Sequence, residues 1–423
     1  MFFEYDNWQN SFKSSSRRIE KTVPAKDRLS RLKARRKLWL DVHLYLGLIA
    51  GAALAVIGLT GSILVFYQGV DESLNPELLL VAPSPGGMAA YRPLPEILAA
   101  AETAIPNDGT LGYARFPVEP EQAFIFYFHR PSLSEPEKKD FYHLTVNPYT
   151  AKVIGTRLAH RAGTLAEGIF INFIFRLHYL LLLEDSGLVV VGILGVLLII
   201  SVLTGLIVWW PLTGRFRQAL SVKRNAGKVR LNFDLHKTSG FYSALVLLAV
   251  LLSGVYMNLP DHFKAVVGLF SPLTEPGKLQ SRRQPGQLSI TAAKALAIAE
   301  QAYPEGRVKS IGFPKLEHET YRINKSVPDE ISRFIDSRVI AVDRYSGEIL
   351  NVYDAETGSG GDVFLQWQWP LHSGKAFGWS GRILVFISGV LCVLLYVTGV
   401  IRWLQKRNAK TVKREKRRGL AMR

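Results

Sequence analysis

Apolar residues of this chain are concentrated in four blocks, which long polar segments separate. The blocks cover residues 38–66, 187–210, 235–257 and 381–403. A helix of about 20 residues crosses a hydrocarbon core of roughly 30 Å, so each block is long enough to span a membrane. The third block is the least regular, because its uncharged run begins only after Lys237. The pattern predicts four membrane-spanning helices.

The same pattern occurs twice along the chain. In one motif a histidine is followed 26 and 27 residues later by a Thr-Gly pair and 31 residues later by a tryptophan; the copies are His178, Thr204, Gly205 and Trp209, and His372, Thr398, Gly399 and Trp403. In the other motif a histidine precedes a glycine by four positions and a second glycine, after Thr or Ser, by 18; the copies are His43, Gly47, Thr60 and Gly61, and His236, Gly240, Ser253 and Gly254. Matched spacing without gaps indicates a tandem duplication.

The polar segments between the blocks, 69–170 and 259–370, contain the same order of elements. Helical periodicity covers residues 94–104 and 292–302. Strand-like runs follow in both segments, at 123–129 and 141–146 and at 308–313, 321–324 and 339–342. Asn147-Pro148 and Ser346-Gly347 mark turns. Each segment is therefore predicted to form a small α+β module.

Charge sets the expected orientation in the membrane. The net charge is +17, and Lys and Arg number 11 in residues 1–37, 6 in 211–235 and 10 in 402–423. Positive charge beside spanning helices is retained in the cytoplasm, so both termini and the central loop are predicted to be cytoplasmic. No aromatic stacking or groove-reading element accompanies these charges, and we expect no nucleic-acid partner.

The predicted fold class is an α-helical four-span membrane bundle built from a tandem parallel repeat, with two small α+β modules in the periplasm. The expected location is the bacterial inner membrane, with lipid around the bundle. The predicted segments are a basic cytoplasmic arm (1–37), the first span (38–68), the first module (69–170), an outer helix with the second span (171–210), a basic cytoplasmic loop (211–234), the third span (235–258), the second module (259–370), an outer segment with the fourth span (371–403) and a basic cytoplasmic tail (404–423).

Four histidines are the strongest chemical signal. Equivalent residues of parallel repeats share a depth, so His43 and His236 are predicted to lie together near the cytoplasmic face, and His178 and His372 near the outer face. Two facing imidazoles can supply both axial bonds of a haem iron, and small residues beside them leave room for the flat macrocycle. The alternative is that each histidine only hydrogen-bonds a helix end at the interface.

Other candidate residues carry weaker signals. Haem propionates need cationic partners, and Arg36 and Lys237 are placed for the inner site, with Arg176 and Arg382 for the outer one; solvated interfacial charge explains these residues equally well. Surface or strand-packing roles are expected for the remaining histidines, which are His129, His143, His160, His262 and His318. A lone Cys392 excludes a disulfide framework and the C-x-x-C-H attachment of a c-type haem.

These motifs resemble a known family, the PepSY-associated transmembrane proteins. The resemblance covers about residues 34–406 and rests on RLHYLLLLEDSG with GLIVWWP, on PLHSGKAFG with TGVIRWL, and on two V-[ND]-x-Y-[ST] runs at Val146 and Val342. Members include iron-regulated membrane proteins, and one branch acts as inner-membrane ferric-siderophore reductases with two b-type haems. The resemblance implies that His43 and His236, and His178 and His372, are the haem ligands.

The expected function is a transmembrane electron conduit that reduces a ferric siderophore or other ferric chelate in the periplasm. Fe(II) binds hard oxygen ligands less tightly than Fe(III), so reduction would release the iron. The cytoplasmic segments are too short for a flavin or nicotinamide domain and lack a G-x-G-x-x-G motif, so a quinol or a separate cytoplasmic protein would be the electron donor. No catalytic residue is identified.

Two other functions remain open. A membrane-anchored PepSY binding module could restrain a periplasmic peptidase or sense a ligand, but it would leave the four histidines unexplained. A transporter is disfavoured, because the predicted spans contain no Gly/Pro-broken helix pair and no acidic residues at their centres.

Overall fold

The computed structural model describes residues 25–165, 167–211, 214–274, 279–283, 286–326, 338–354 and 358–421. The first 24 residues of the predicted cytoplasmic arm lie outside this part of the chain.

Helices account for more than half of the described chain. They are α1 (Ala25–Ile49), α2 (Gly51–Leu64), α3 (Tyr67–Leu74), α4 (Pro76–Leu79), α5 (Leu94–Ala104), α6 (Phe170–Leu180), α7 (Glu184–Trp209), α8 (Phe216–Ala219), α9 (Lys228–Asn258), α10 (Pro260–Gly268), α11 (Ala292–Ala302), α12 (Gly360–Ser373) and α13 (Gly378–Ala421). Helices α5 and α11 have the bounds that their apolar periodicity predicts.

Three of the described helices, α7, α9 and α13, are long and apolar enough to cross a membrane. A fourth crossing is present if the bent pair α1–α2 is one span. Helix α1 packs on α7, α7 on α9, α9 on α13 and α13 on α2. The chain is therefore a membrane protein.

The first apolar block is not the single straight helix that the sequence predicts. Residues 34–49 and 51–64 form two helices at 59° to each other, with the break at Ala50. The expectation that no predicted span is broken was wrong at this point. Gly51 follows the break, and a Cβ there would lie 3.0 Å from the Tyr396 ring, so glycine allows the closest packing against α13 without a shift of that ring.

Eight antiparallel strands form one continuous sheet outside the helix bundle. They are β1 (Thr110–Arg115), β2 (Phe124–Pro131), β3 (Lys139–Val146), β4 (Val153–His160), β5 (Arg307–Gly312), β6 (Tyr321–Ser326), β7 (Arg338–Val342) and β8 (Ile349–Asp354), in the order β4-β3-β2-β1-β5-β6-β7-β8. The two modules of the sequence analysis are thus joined where β1 pairs with β5, through Tyr113–Gly312, Ala114–Ile311 and Arg115–Ser310.

One face of the sheet carries a hydrophobic core that both halves share. Helices α5 and α11 cover this face, and the core includes Phe126, Leu144, Ile311, Ile323 and Ile340, all of them fully buried. Alternation along each strand sends the intervening residues to the opposite face. The halves therefore fold around a common core and not around two separate ones.

Close backbone contacts position α6 and α12, the short helices that precede α7 and α13. A Cβ at Gly187 would lie 2.1 Å from the Leu180 carbonyl oxygen, and one at Gly381 would lie 2.2 Å from that of Gly374. These equivalent glycines let each short helix fold back against the long helix that follows. As a result, His178 on α6 and His372 on α12 lie at the end of the bundle that adjoins the sheet, the outer end.

Candidate functional site

The four histidines of the repeated motifs meet in two pairs. The ring centroids of His43 and His236 are 6.2 Å apart with an interplanar angle of 69°. Those of His178 and His372 are 5.9 Å apart with an angle of 70°. Each pair takes one histidine from each half of the chain, and all four side chains are half-buried.

Every one of these rings is anchored at Nδ1. Nδ1 of His43, His178 and His372 lies 2.9 Å from a main-chain carbonyl oxygen of a neighbouring helix; these carbonyls belong to Ser201, Ile57 and Val250 respectively. For His236 the near partner is the Thr398 hydroxyl, also at 2.9 Å, and the Leu395 carbonyl accepts as well. Each carbonyl is three residues before the Thr or Ser of a repeated Thr/Ser-Gly pair.

These contacts determine the tautomer of each ring. A carbonyl oxygen only accepts, so Nδ1 must carry the proton and donate it. At His236 the Thr398 hydroxyl donates its own hydrogen to the Leu394 carbonyl at 2.6 Å, and therefore it too accepts from Nδ1. Nε2 then carries the lone pair. Within the described residues no hydrogen-bond partner contacts Nε2, which leaves that atom of each ring available as a ligand.

The glycine of each Thr/Ser-Gly pair lies against the Cε1 edge of the same ring. A Cβ added to Gly61 would lie 2.8 Å from Cε1 of His178, and one added to Gly205 would lie 2.9 Å from Cε1 of His43. The corresponding distances are 3.3 Å from Gly399 to His236 and 3.4 Å from Gly254 to His372. The carbonyl and the glycine together form a histidine seat, and each seat is on a helix of the same half as its histidine. The sequence shows the repeated Thr/Ser-Gly pairs but not this role.

A cavity of about 360 Å³ adjoins the outer pair. Its walls are mainly apolar, and they include both His178 and His372 with several small residues, namely Gly58, Gly61, Gly195, Gly254, Gly389 and Cys392. Tyr67 and Lys375 also line it. This volume is within the range of small-molecule and cofactor pockets.

The predicted cationic residues lie near the two pairs, and each contacts protein groups. Arg36 donates to the Val208 carbonyl, and Lys237 donates to the Gln218 carbonyl at 2.9 Å and to the Asp234 carboxylate at 3.2 Å. These contacts hold Arg36 at the C-terminal end of α7 and Lys237 in the N-terminal part of α9.

At the outer pair, Arg176 is buried and donates to Nδ1 of His160 at 2.8 Å and to the Thr164 carbonyl at 3.2 Å. Arg382 donates to the Val65 carbonyl at 3.0 Å and lies over the rings of Phe66 and Trp379. Arg176 therefore supports the first half-sheet, and Arg382 joins α13 to the end of α2. A role of either residue toward propionates stays a prediction.

The other histidines belong to neither pair. His129 and His143 lie within β2 and β3, His160 ends β4, and His262 and His318 are exposed. Among the described residues no group of three or more His, Cys, Asp and Glu side chains could hold a metal ion. The histidine pairs offer two ligands each.

The chain matches one family, described as the PepSY-associated TM region, over residues 40–406. This range contains both histidine pairs, all four histidine seats and the eight-stranded sheet. No curated protein matches the chain.

Proposed function

The chain belongs to the PepSY-associated TM region family, and from this membership together with the two histidine pairs we propose that it is a membrane electron conduit with two b-type haems. It takes electrons from a quinol or a separate cytoplasmic donor. It delivers them to a ferric siderophore or other ferric chelate in the periplasm.

The observation that carries the proposal is the geometry of the pairs. When two imidazoles bind one metal ion, the distance between their ring centroids includes two metal–nitrogen bonds of about 2 Å and half of each ring. These lengths add to roughly 6 Å. The observed separations are 6.2 and 5.9 Å. Two imidazoles are too few ligands for a bare ion, so they suit an iron whose remaining ligands come with a macrocycle.

The protein residues would hold and tune this group, whose reversible iron redox chemistry is its own. His43 and His236 would be the axial ligands at the inner site, and His178 and His372 those at the outer site. The Nδ1–H bonds to the main chain orient each ring and raise the basicity of Nε2, as partners of metal-ligating histidines usually do. The small residues around His178 and His372 leave the space that the outer site requires.

The arrangement of the helices supports a path across the membrane. On α9, His236 belongs to the inner pair, and Ser253, 17 residues further on, contacts Nδ1 of His372 in the outer pair at 3.1 Å. At a rise of about 1.5 Å per residue the two positions are roughly 25 Å apart along the helix. The bent pair α1–α2 would then be the first of four spans, and the chain a tandem parallel repeat with cytoplasmic termini.

One spectroscopic experiment tests the proposal. The protein purified in detergent should show the absorption of low-spin b-type haem, and dithionite should reduce it. Two haems per chain are expected, and a ferric chelate should reoxidise the reduced protein. Absence of haem from protein made in haem-sufficient cells would overturn the proposal.

Histidine variants assign the haems to the pairs. His43→Ala and His236→Ala should each remove or convert one haem, and His178→Ala and His372→Ala the other one. Double variants within a pair should resemble either single variant, since both histidines serve one site. His262→Ala, on the exposed surface of α10, is the matched control and should retain both haems. Loss of the same haem from His43→Ala and His178→Ala would contradict the assignment.

A further inference from the structure

The face of the sheet opposite the hydrophobic core is polar and aromatic in the first half. A cross-strand row runs from β1 to β4 and consists of Tyr113, Tyr127, His143 and Arg157. Tyr127 stacks edge-on with His143 at 4.4 Å and lies 5.5 Å from Tyr113. Helix α3 packs against this row, because its Asp71 forms two hydrogen bonds with Arg157, at 2.9 and 2.6 Å.

Arg115 lies beside this row, on β1. Ala114 next to it is fully buried in the core, so alternation sends the Arg115 side chain to the polar face, where it is half-buried. By the strand register Tyr127 lies diagonally opposite Arg115 on this face. Tyr67 and the Glu72 carboxylate belong to α3, which packs here, and they interact electrostatically with Arg115. The described residues provide Arg115 with no hydrogen bond or ion pair; Glu72 accepts from Gln122 at 2.8 Å instead.

Other buried arginines of the sheet form ion pairs with carboxylates, which Arg115 does not do within the described residues. Arg157 pairs with Asp71 at 2.6 Å, and Arg338 pairs with Asp354 at 2.7 Å. Burying a cation without a partner is costly, so a partly buried guanidinium among phenol groups favours binding of an anion. Across the junction, Ser310 of β5 pairs with Arg115, and its hydroxyl accepts from Asn324 at 2.7 Å.

Helix α3 joins the face that carries Arg115 to the cavity of the outer histidine pair. It packs on this face through Asp71, and Tyr67, its first residue, lines that cavity together with His178. Lys375 also lines the cavity, with Nζ 5.9 Å from the Tyr67 ring centre. An anion on Arg115 would thus lie on the face of the sheet that α3 connects with the outer site.

We propose that Arg115, with the hydroxyl groups of Tyr67 and Tyr127, forms a carboxylate-binding site between the sheet and the outer end of the bundle. Guanidinium binds a carboxylate through two parallel N–H donors, and phenol groups add further donors. The carboxylate has two sources, which depend on the proposed function: a hydroxycarboxylate chelate of Fe(III), or a propionate of a haem in the adjacent cavity. A neutral chelate would gain nothing from this site.

The test uses the full chain in detergent and the variant Arg115→Gln. Citrate binding is measured by calorimetry at low and high salt, and the midpoint potential of each haem is measured by redox titration. Arg92→Gln, which removes an exposed cation at the start of α5, is the control. Arg115→Lys retains the charge without the paired donors, and circular dichroism and thermal unfolding show whether each variant is folded.

Two results support the site and identify its source. If the wild type binds citrate in a salt-sensitive manner and Arg115→Gln weakens binding on the order of tenfold to a hundredfold, with both haem potentials unchanged, the carboxylate belongs to the chelate. If citrate does not bind, but Arg115→Gln lowers the midpoint potential of the outer haem alone, the carboxylate belongs to a haem propionate. The potential falls because removing a nearby cation disfavours the reduced form of the haem.

A folded Arg115→Gln protein in which neither citrate binding nor either haem potential differs from the wild type overturns the inference. The measurement of citrate binding by calorimetry does not require haem. A chain that proves to contain none would therefore defeat the proposed function and still leave the carboxylate site to be decided by calorimetry.

Discussion

Each paired histidine is held at two points of its ring, by a hydrogen bond at Nδ1 and by a glycine at Cε1. The first contact selects the tautomer, and the second leaves no room for the ring to rotate toward the helix that seats it. These glycines lie within helices, where glycine is unfavourable by about 1 kcal/mol relative to alanine. Their presence is explained by the space that the imidazole needs.

This contact predicts a graded effect of Gly→Ala substitutions. Gly61→Ala should displace His178 and perturb only the outer haem, and Gly205→Ala should do the same to His43 and the inner haem, because the new methyl would lie within 3 Å of Cε1. Gly254→Ala and Gly399→Ala, with 3.4 and 3.3 Å available, should have smaller effects. The reduced-minus-oxidised spectrum and the redox titration measure both.

Gly47→Ala is the control for this series, because a Cβ at Gly47 meets no atom within 4 Å. It should leave both haems intact and stabilise α1 slightly through helix propensity. Equal perturbation by Gly47→Ala and Gly205→Ala would show that the glycines act through helix flexibility and not as seats.

His143 allows a prediction about pH. Burial, together with the neighbouring Arg157 and Arg115 guanidinium groups, lowers the pKa of His143 from 6.5 to about 3. Between these values the unfolded chain binds a proton that the folded sheet does not, so the contribution of His143 to stability is lost as pH falls from about 6.5 toward 3. Thermal unfolding of the wild type should therefore show a steeper loss below pH 6 than that of His143→Gln.

Exposed His318 is the control for the pH experiment. His318→Gln should follow the wild-type curve at every pH. Parallel curves for wild type and His143→Gln would mean that His143 is not held neutral by the sheet.

The sequence reveals the histidine pairs because repeat spacing and membrane depth are both properties of a linear pattern. It does not reveal the seats, since the contact between Gly205 and His43 depends on how α7 packs on α1. The same limit applies to Arg176. Its position in the sequence places it near the outer site, but its partner is His160, which only the three-dimensional packing brings near.

At the scale of elements, local patterns predict the long helices, the two helices that cover the sheet and most of the strands. Helices α5 and α11 have the predicted bounds, and β2, β3 and β7 differ from prediction by a few residues at most. Strand β1 has no such pattern, because Thr110–Arg115 contains a glycine and only three apolar residues. Its pairing with β5 joins residues nearly 200 positions apart, and no local signal encodes it.

The β1–β5 junction predicts that the two half-sheets unfold together. Ile311 is fully buried beside Ala114 at this junction and belongs to the shared core. Ile311→Ala should cost about 2–5 kcal/mol, the usual range for a large aliphatic residue in a core. Hydrogen exchange measured by mass spectrometry should then become faster in β2 of the first half as well as in β6 of the second.

Val118→Ala, at a half-exposed loop position after β1, is the matched control and should leave exchange unchanged in both half-sheets. Faster exchange restricted to strands β5 to β8 in Ile311→Ala would mean that the modules are independent folding units. The two half-sheets would then fold separately and only dock against each other.

In the whole molecule, both halves contribute to every feature that the proposed function uses. Each histidine pair takes one ring from each half, and the sheet is continuous only across β1 and β5. The histidine seats, in contrast, are each completed within one half. Local positioning of each histidine is thus a property of one half, and pairing of the histidines is a property of the assembled chain.

This division predicts the behaviour of a split chain. If the protein is cut in the exposed loop between Arg224 and Asn225, residues 1–224 keep His43 and His178 with their seats, and residues 225–423 keep His236 and His372 with theirs. Neither half expressed alone should give a spectrum of haem with two histidine ligands at wild-type potentials. Co-expressed halves should regain both haems, because helix packing and the β1–β5 junction can reunite them.

Co-expression with His372→Ala in the second half should restore the inner haem only, and immunoblots of the membrane fraction check that each half is present. Two haems at wild-type potentials in residues 1–224 alone would show that the pairs form within one repeat, which contradicts the pairing across the two halves.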